Sequence, residues 1–382
     1  MSALRIVVAF VLLVLTAPPT FGQYVGFGSV TSGAQGCADY SIYRVTSLED
    51  SGPGTLRDAV SADCRKIVFD IGGTIELGEW LLIQHSYLTI DGSTAPSPGI
   101  TISAPFIRIA IQASGSIGAA HDIIIHHLRI VGAGGDLEAA DIIELDGQDA
   151  PVYNIIIDHV TAVAASDGAF DVWGEVHDVT LSNNLIRDMI KAAHFSRDSQ
   201  VRTNFTIHRN VYARNNERQV RMRYDNHRID ITNNVVYGWG WFEGGAAGLD
   251  LPSDPGFRPS INVQNNVYHH VQPHGSPDDA IILNSDTFAG DIFFSGNVLP
   301  LGENDAISTA ARTEIPQYAE VSLEAASELA NSVVPCAGTV FPTPEEQRLL
   351  DEIRVAIGSA GTDIVSCSEM RRPRPPNGLI VE

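Results

Sequence analysis

Positive charge is scarce in this chain: 24 Lys and Arg stand against 46 Asp and Glu, a formal net charge of −22 over 382 residues. A protein that holds a polyanion by bulk attraction is basic, so nonspecific nucleic-acid binding is excluded. Any anionic partner must be met by a local cationic patch or a bridging cation. Charged residues are only 18% of the chain and apolar ones 44%, which excludes wholesale disorder and supplies a sizeable core. Cysteine is limited to four residues, and their spacing does not suit a zinc site. Beyond Leu15 no apolar stretch is long enough to cross a bilayer.

What is abundant leans toward β structure: 34 glycines and many short Val, Ile and Thr runs. The start of the chain reads differently. Arg5 precedes an apolar run, Ile6 to Leu15, followed by small and turn-forming residues to Gly22. This is the layout of a secretory signal peptide, too short to span, with a buried N-terminal helix as the alternative. Residues 1–22 are therefore expected to be removed, leaving an exported domain over 23–382, working as a monomer. Its last part, from about residue 300 to 382, is expected to pack on or cap the rest. Cys37 with Cys64 and Cys336 with Cys367 are the sequence-close pairings among three possible connectivities. Asn204 is a glycosylation acceptor only in a eukaryotic host.

Seven segments share one frame, beginning at Asp122, Asn154, Asp178, Phe205, Ile229, Ile261 and Ile292. Each is a short alternating apolar stretch, a polar residue, then Leu or Val. The polar position reads His127, His159, Asn184, Asn210, Asn234, Asn266 and Asn297, with gaps of 32, 25, 26, 24, 32 and 31 residues. One strand-like run per repeat at this period is a solenoid signature. Leucine is not the recurrent residue, so a parallel β-helix fits better than a leucine-rich repeat. Its coils stack at about 4.8 Å, and an Asn column at a bend can bond from coil to coil. A β-sandwich with accidental periodicity is the alternative.

The ends read as caps. Thr55 to Val60 suits a short amphipathic helix over one open end of the stack. Thr343 followed by Pro344 starts a second helix, with Leu349, Leu350, Ile353 and Ile357 on one face and Gly358 as its stop. The Arg/Pro-rich stretch 371–376 reads as a loose tail.

Charge is distributed unevenly along the repeats. Between Ile130 and Ile186 lie eleven acidic residues and no Lys or Arg; from Arg187 to Arg228 there are ten basic and four acidic residues. In a solenoid these become adjoining layers. Asp141 lies 18 positions before His159, Asp167 lies 17 before Asn184, Lys191 lies 19 before Asn210, and Arg218 lies 16 before Asn234. Four charged residues in successive coils thus share nearly one angular position, with Asp171 slightly further along. An oxygen-only set of three carboxylates favours Ca²⁺ over zinc. Loop aspartates are more often solvated turn formers, and a surface Arg more often merely solvated.

These residues resemble a known family. Residues 215–239 are similar to the Arg-x-Pro-x-x-Arg and Asn-Asn-x-x-Tyr region of the pectate lyases of polysaccharide lyase family one. Residues 154–172 resemble the family's Ile-Asp-His and Asp-Gly-x-x-Asp segment, and 187–195 its Asp-x-x-Lys segment. Residues 26–36, 50–60 and 67–75 look like the start of that catalytic domain and 344–365 like its end, so the likeness spans nearly all of the chain after residue 22. The resemblance implies a right-handed parallel β-helix with short capping helices. It also implies Asp141, Asp167 and Asp171 as Ca²⁺ ligands, Lys191 and Arg223 as binders of substrate carboxylates, and Arg218 as catalytic base. Val220 stands where the family has Pro, and Ala139 where some members place a further acidic ligand.

The implied substrate is (1,4)-linked galacturonan, cleaved by β-elimination to 4,5-unsaturated oligouronides. That chemistry needs a base at C5 and positive charge against the developing carboxylate dianion. A guanidinium is normally never deprotonated, so Arg218 in this role requires like charge around it. Two other readings stand beside this one. A β-helix glycoside hydrolase would use Asp167 and Asp171 as its carboxylate pair, leaving Lys191 and Arg218 without a task. A non-catalytic carbohydrate-binding β-helix would need neither.

Overall fold

Alternation of period two carries the central repeats, because successive side chains of a strand point to opposite faces. Ile123, Ile155, Val179, Phe205, Ile229, Ile261 and Ile292 stand in register across neighbouring parallel strands. Ile125, Ile157, Leu181, Ile207, Ile231, Val263 and Phe294 form a second such column. Both columns are buried and belong to one continuous core. The structure, a computed structural model, describes residues 24–103, 109–132, 141–165, 167–195, 202–223, 226–242, 248–251, 259–271, 274–283, 291–302 and 321–358.

The strands wind as coils with three faces. One coil runs Ala193–Phe195, Arg202–His208 and Val211–Ala213; the next runs Val220–Met222, Asn226–Thr232 and Val235–Tyr237. Each strand pairs in parallel with the equivalent one a coil away. Among the described residues a sixteen-stranded sheet covers two faces, because the long strands Ile143–Asp158 and Phe170–Ser182 run through the corner between them; an eight-stranded sheet makes the third. This is the parallel β-helix expected from the repeats.

The Asn column is present, with one correction. Asn210 Oδ1 accepts from the backbone and side-chain amides of Asn184 at 3.0 and 2.9 Å, and Asn234, Asn266 and Asn297 repeat the pattern. The column ends at Asn184, whose Oδ1 accepts from the backbone of Val160. His127 and His159 are therefore not members. They align with Asn183, Arg209, Asn233 and Asn265, one residue earlier, and all six have left-handed backbone that turns the corner. The repeat frame takes the polar residue immediately before Leu or Val; in the two earlier coils that Leu128 or Val160 itself occupies the inner position.

Residues 24–36 lie across the outer side of the second face. Gly28 N donates to Thr180 Oγ1 and Ala34 N to Thr89 Oγ1. A Cβ at Gly28 would come within 2.3 Å of the Ile155 carbonyl, so only glycine lets the segment approach so closely. The Cys37–Cys64 disulfide ties this segment to the first coils. Cys336 is also disulfide-bonded; its expected partner, Cys367, lies outside the described residues, as do residues 1–22, Ala139 and the tail 371–376.

Helix Leu56–Ala59, capped by Thr55, buries Leu56, Ala59 and Val60 in the main core, as an end cap should. The C-terminal helix Pro344–Ala356 begins with the expected Thr343 cap, here a reciprocal capping box with Glu346. It does not close the other end of the stack. Leu349, Leu350 and Ile353 pack sideways on Leu185, Val211, Val235 and Val267 of the third face, and buried Glu346 receives Arg129 Nε at 3.0 Å. Packing on the coils, rather than capping them, is what the end of the described chain does. Asn204 Nδ2, the glycosylation acceptor atom, donates to Asp178 Oδ1 at 2.6 Å.

Candidate active site

The first face of the coils carries the charged groups. Its strands bury Phe170 and Val172, Ala193 and Phe195, Val220 and Met222, and Leu249 and Leu251. The residues between them face outward in one register row: Glu144, Asp171, His194, Arg221 and Asp250. The turns that lead into these strands stack as well. Ile142 N donates to Gly168 O at 2.8 Å, Ala169 N to Ala192 O at 2.9 Å, and Ala193 N to Arg218 O at 2.9 Å. That stacking brings Asp141, Asp167, Lys191 and Arg218 into line, as their shared phase predicts.

All six expected residues line one cleft of ≈ 240 Å³: Asp141, Asp167, Asp171, Lys191, Arg218 and Arg223. His194 and Arg221 line it too. The three aspartates are 3%, 6% and 3% exposed, so they are not solvated turn formers. Lys191 Nζ sits on Asp167 Oδ1. Asp171 accepts from Val172 N and from Trp173 Nε1, both at 3.0 Å, and His194 Nδ1 lies 3.7 Å from its Oδ1. Arg218 Nε is 3.5 Å from Glu217 Oε1. Its backbone is left-handed, with φ 55, a conformation uncommon for a side chain of this size. Val220, in place of the family's Pro, is 4% exposed and points into the core.

Arg221 Nε lies 3.3 Å from Asp250 Oδ2. Burial lowers the guanidinium's pKa from its ordinary value; Asp250 opposes this, while Arg218 and Arg223 add to it. Burial in turn raises the Asp250 carboxyl above the usual carboxylate range, against the pull of Arg221. The sequence reading missed His194, Arg221 and Asp250 because it followed only the turn phase. Following the strand phase from Asp171, coil by coil, would have found all three.

The donor set fits a hard cation in kind, being carboxylate oxygen alone. Gly168 makes room for it: a Cβ there would meet Asp141 Oδ1 at 2.8 Å. In position Asp167 and Asp171 are engaged with protein donors, and among the described residues no three His, Cys, Asp or Glu side chains converge as a ligand cage. Lys191 occupies Asp167 Oδ1, which leaves Oδ2 as the oxygen of Asp167 for a cation.

No protein-family profile matches the chain. It is 33% identical over 234 residues to a probable pectate lyase C of Emericella nidulans, covering 61% of this chain and 51% of the relative. It is 35% identical over 225 residues to a probable pectate lyase C of Aspergillus terreus, covering 58% and 49%. The chain thus spans about half the length of these curated relatives. In three dimensions it is similar to the major allergen from cedar pollen, with TM-score 0.57 and 21% identity over 83% of this chain and 93% of that one. A pectate lyase bound to a hexasaccharide superposes with TM-score 0.58 and 15% identity over 84% and 98%. The coils, the sheets and these likenesses agree: the chain has the pectate lyase family fold, a parallel β-helix.

Proposed function

We propose that the chain is an exported polysaccharide lyase that cleaves (1,4)-linked galacturonan by β-elimination. The observation that carries this reading is the gathering of three buried aspartates, Lys191 and three arginines in one cleft. An acidic protein gains a local cationic surface there, which is what an acidic polymer needs. The likeness to proteins named pectate lyase supports the substrate class.

Lys191 and Arg223 hold substrate carboxylates by charge-assisted hydrogen bonds. Arg218 takes the C5 proton; the C5–H electrons form the C4=C5 bond, and the C4–O bond breaks, its oxygen leaving with a proton from solvent. The product is a 4,5-unsaturated uronide. Asp141, Asp167 and Asp171 would hold Ca²⁺, whose charge, when bound, offsets that developing on the substrate carboxylate. Residues 1–22 serve as the export leader, and no helix among the described residues is long and apolar enough to cross a membrane.

A panel of uronans read by ultraviolet absorbance of the unsaturated product tests the proposal. Polygalacturonate should give product, chelator should abolish it, and added Ca²⁺ should restore it. New reducing ends without absorbance would replace the lyase with a hydrolase. Full activity in excess chelator, with the metal shown to be absent, would remove calcium from the mechanism.

A further inference from the structure

Arg221 has no task in the scheme above, yet it is built into the cleft. It stands between Val220 and Met222, both turned into the core, and so projects outward beside the reacting groups. Arg221 is in register with His194 on one side and Asp250 on the other. The side chains of Arg221 and Asp250 are only 21% and 15% exposed. A guanidinium this far from water is retained at a cost unless its donors are used.

The contact with Asp250 is an ion pair at Nε that makes no hydrogen bond, and it leaves the end of the fork open. A guanidinium has five N–H donors, and Asp250 Oδ2 lies against Nε. The two Nη groups remain for an end-on, bidentate pair with a second carboxylate. Arg223 follows two residues later, its backbone N–H still bonded to Phe195 O at 3.1 Å. The two arginines therefore leave the same face, about 7 Å apart along the chain. A polyuronate carries one carboxylate on every sugar, so adjacent guanidiniums on one face match carboxylates on neighbouring sugars.

We propose that Arg221 is a further uronate-carboxylate binder of the cleft and that Asp250 is the positioning residue that presents it. The inference rests on the cleft being a uronan site. It adds Arg221, held by Asp250, to the side chains that tell a free carboxylate from its methyl ester.

The test is calorimetric binding of de-esterified and methyl-esterified oligogalacturonate to the full chain, alongside kcat and KM on polygalacturonate. Arg221→Gln should weaken binding of the free acid and raise KM by about 10-fold, with kcat changed less than about 3-fold, the pattern of lost uniform binding. Arg221→Lys should recover part of that loss, since an ammonium keeps the charge without the fork. Asp250→Asn should raise KM by a smaller factor, and the double variant should match Arg221→Gln, because Asp250 acts through Arg221. Arg221→Gln should also narrow the preference for free acid over ester. Unchanged affinity in Arg221→Gln, or an Asp250→Asn loss that multiplies with it, overturns the proposal. Arg221→Lys retains the ion pair with Asp250 and serves if the neutral variant fails to fold. Wild-type binding without unsaturated product would refute elimination and leave this inference standing; no binding of the oligomer refutes it.

Discussion

Arg218 couples a guanidinium to left-handed backbone at the point where one coil turns onto the first face. Its neighbours in the cleft are Lys191, Arg221 and Arg223. If it only attracts substrate, Lys serves nearly as well and the loss falls on KM. A base must reach its proton within about 3 Å, and Lys differs from Arg in reach and geometry. Arg218→Lys should therefore lower kcat by at least about 10²-fold with binding nearly intact, whereas Arg223→Lys should act on binding. Steady-state rates beside oligomer affinity separate the two, and wild-type kcat in Arg218→Lys would put the binding-module reading ahead. The position of Arg218 was legible in the sequence because its phase matched those of Asp141, Asp167 and Lys191. The engagement of Lys191 with Asp167 was not legible, since phase gives neighbours along the stack and not which side chains touch.

The Asn column joins coil to coil through side chains, beside the backbone ladders of the strands. Asn210 is fully buried; its Oδ1 accepts from Asn184, and its Nδ2 donates to Leu181 O and Asn234 Oδ1. Asn210→Ala leaves those partners buried without it, a cost of about 1–3 kcal/mol for unpaired groups. A lower urea midpoint with unchanged turnover is expected. An unchanged midpoint would mean that the column is incidental to stability. The repeat frame exposed this column but extended it two coils too far, because His127 and His159 share the polar character of Asn without its inward position. The C-terminal helix was legible from Thr343 to Gly358, caps included. Its seat was not: Leu185, Val211, Val235 and Val267 follow the polar residue of each repeat, and they form a second buried cluster with Leu329, Val333 and Val334 as well as with Leu349, Leu350 and Ile353.

At the scale of the whole molecule, the fold follows from a repeat that the sequence displays openly, and the same repeat carries a polar row two residues before the inner column, beside the N-terminal segment, whose burial it does not display. Asp91, His126, Asp158, Ser182, His208 and Thr232 stand in one outward register row and are all buried. Burial, with Arg209 nearby, drives the pKa of His208 down to about 3, against a weaker pull from Asp158; burial lowers His126 as well, though Asp91 and Asp158 oppose it. A histidine whose folded pKa lies below its unfolded value of about 6.5 binds protons only after unfolding as the pH drops. Stability is then intact above about 6.5 and declines as pH falls toward 3. The aspartates add a second phase. Asp91 is held below the ordinary carboxylate range by His126, Ser93 and Lys66, which outweigh its burial, so its contribution is present above about 3.9 and lost below. The melting temperature measured from pH 8 to 3 should therefore begin to fall near 6.5. His208→Gln keeps a polar group beside Thr232 Oγ1, 2.9 Å from the imidazole Nδ1, but cannot titrate. Its melting temperature should fall less steeply between pH 6.5 and 4 than that of the wild type, while the steeper loss below 4 remains. An identical slope in the two proteins would show that acid sensitivity arises elsewhere in the coils.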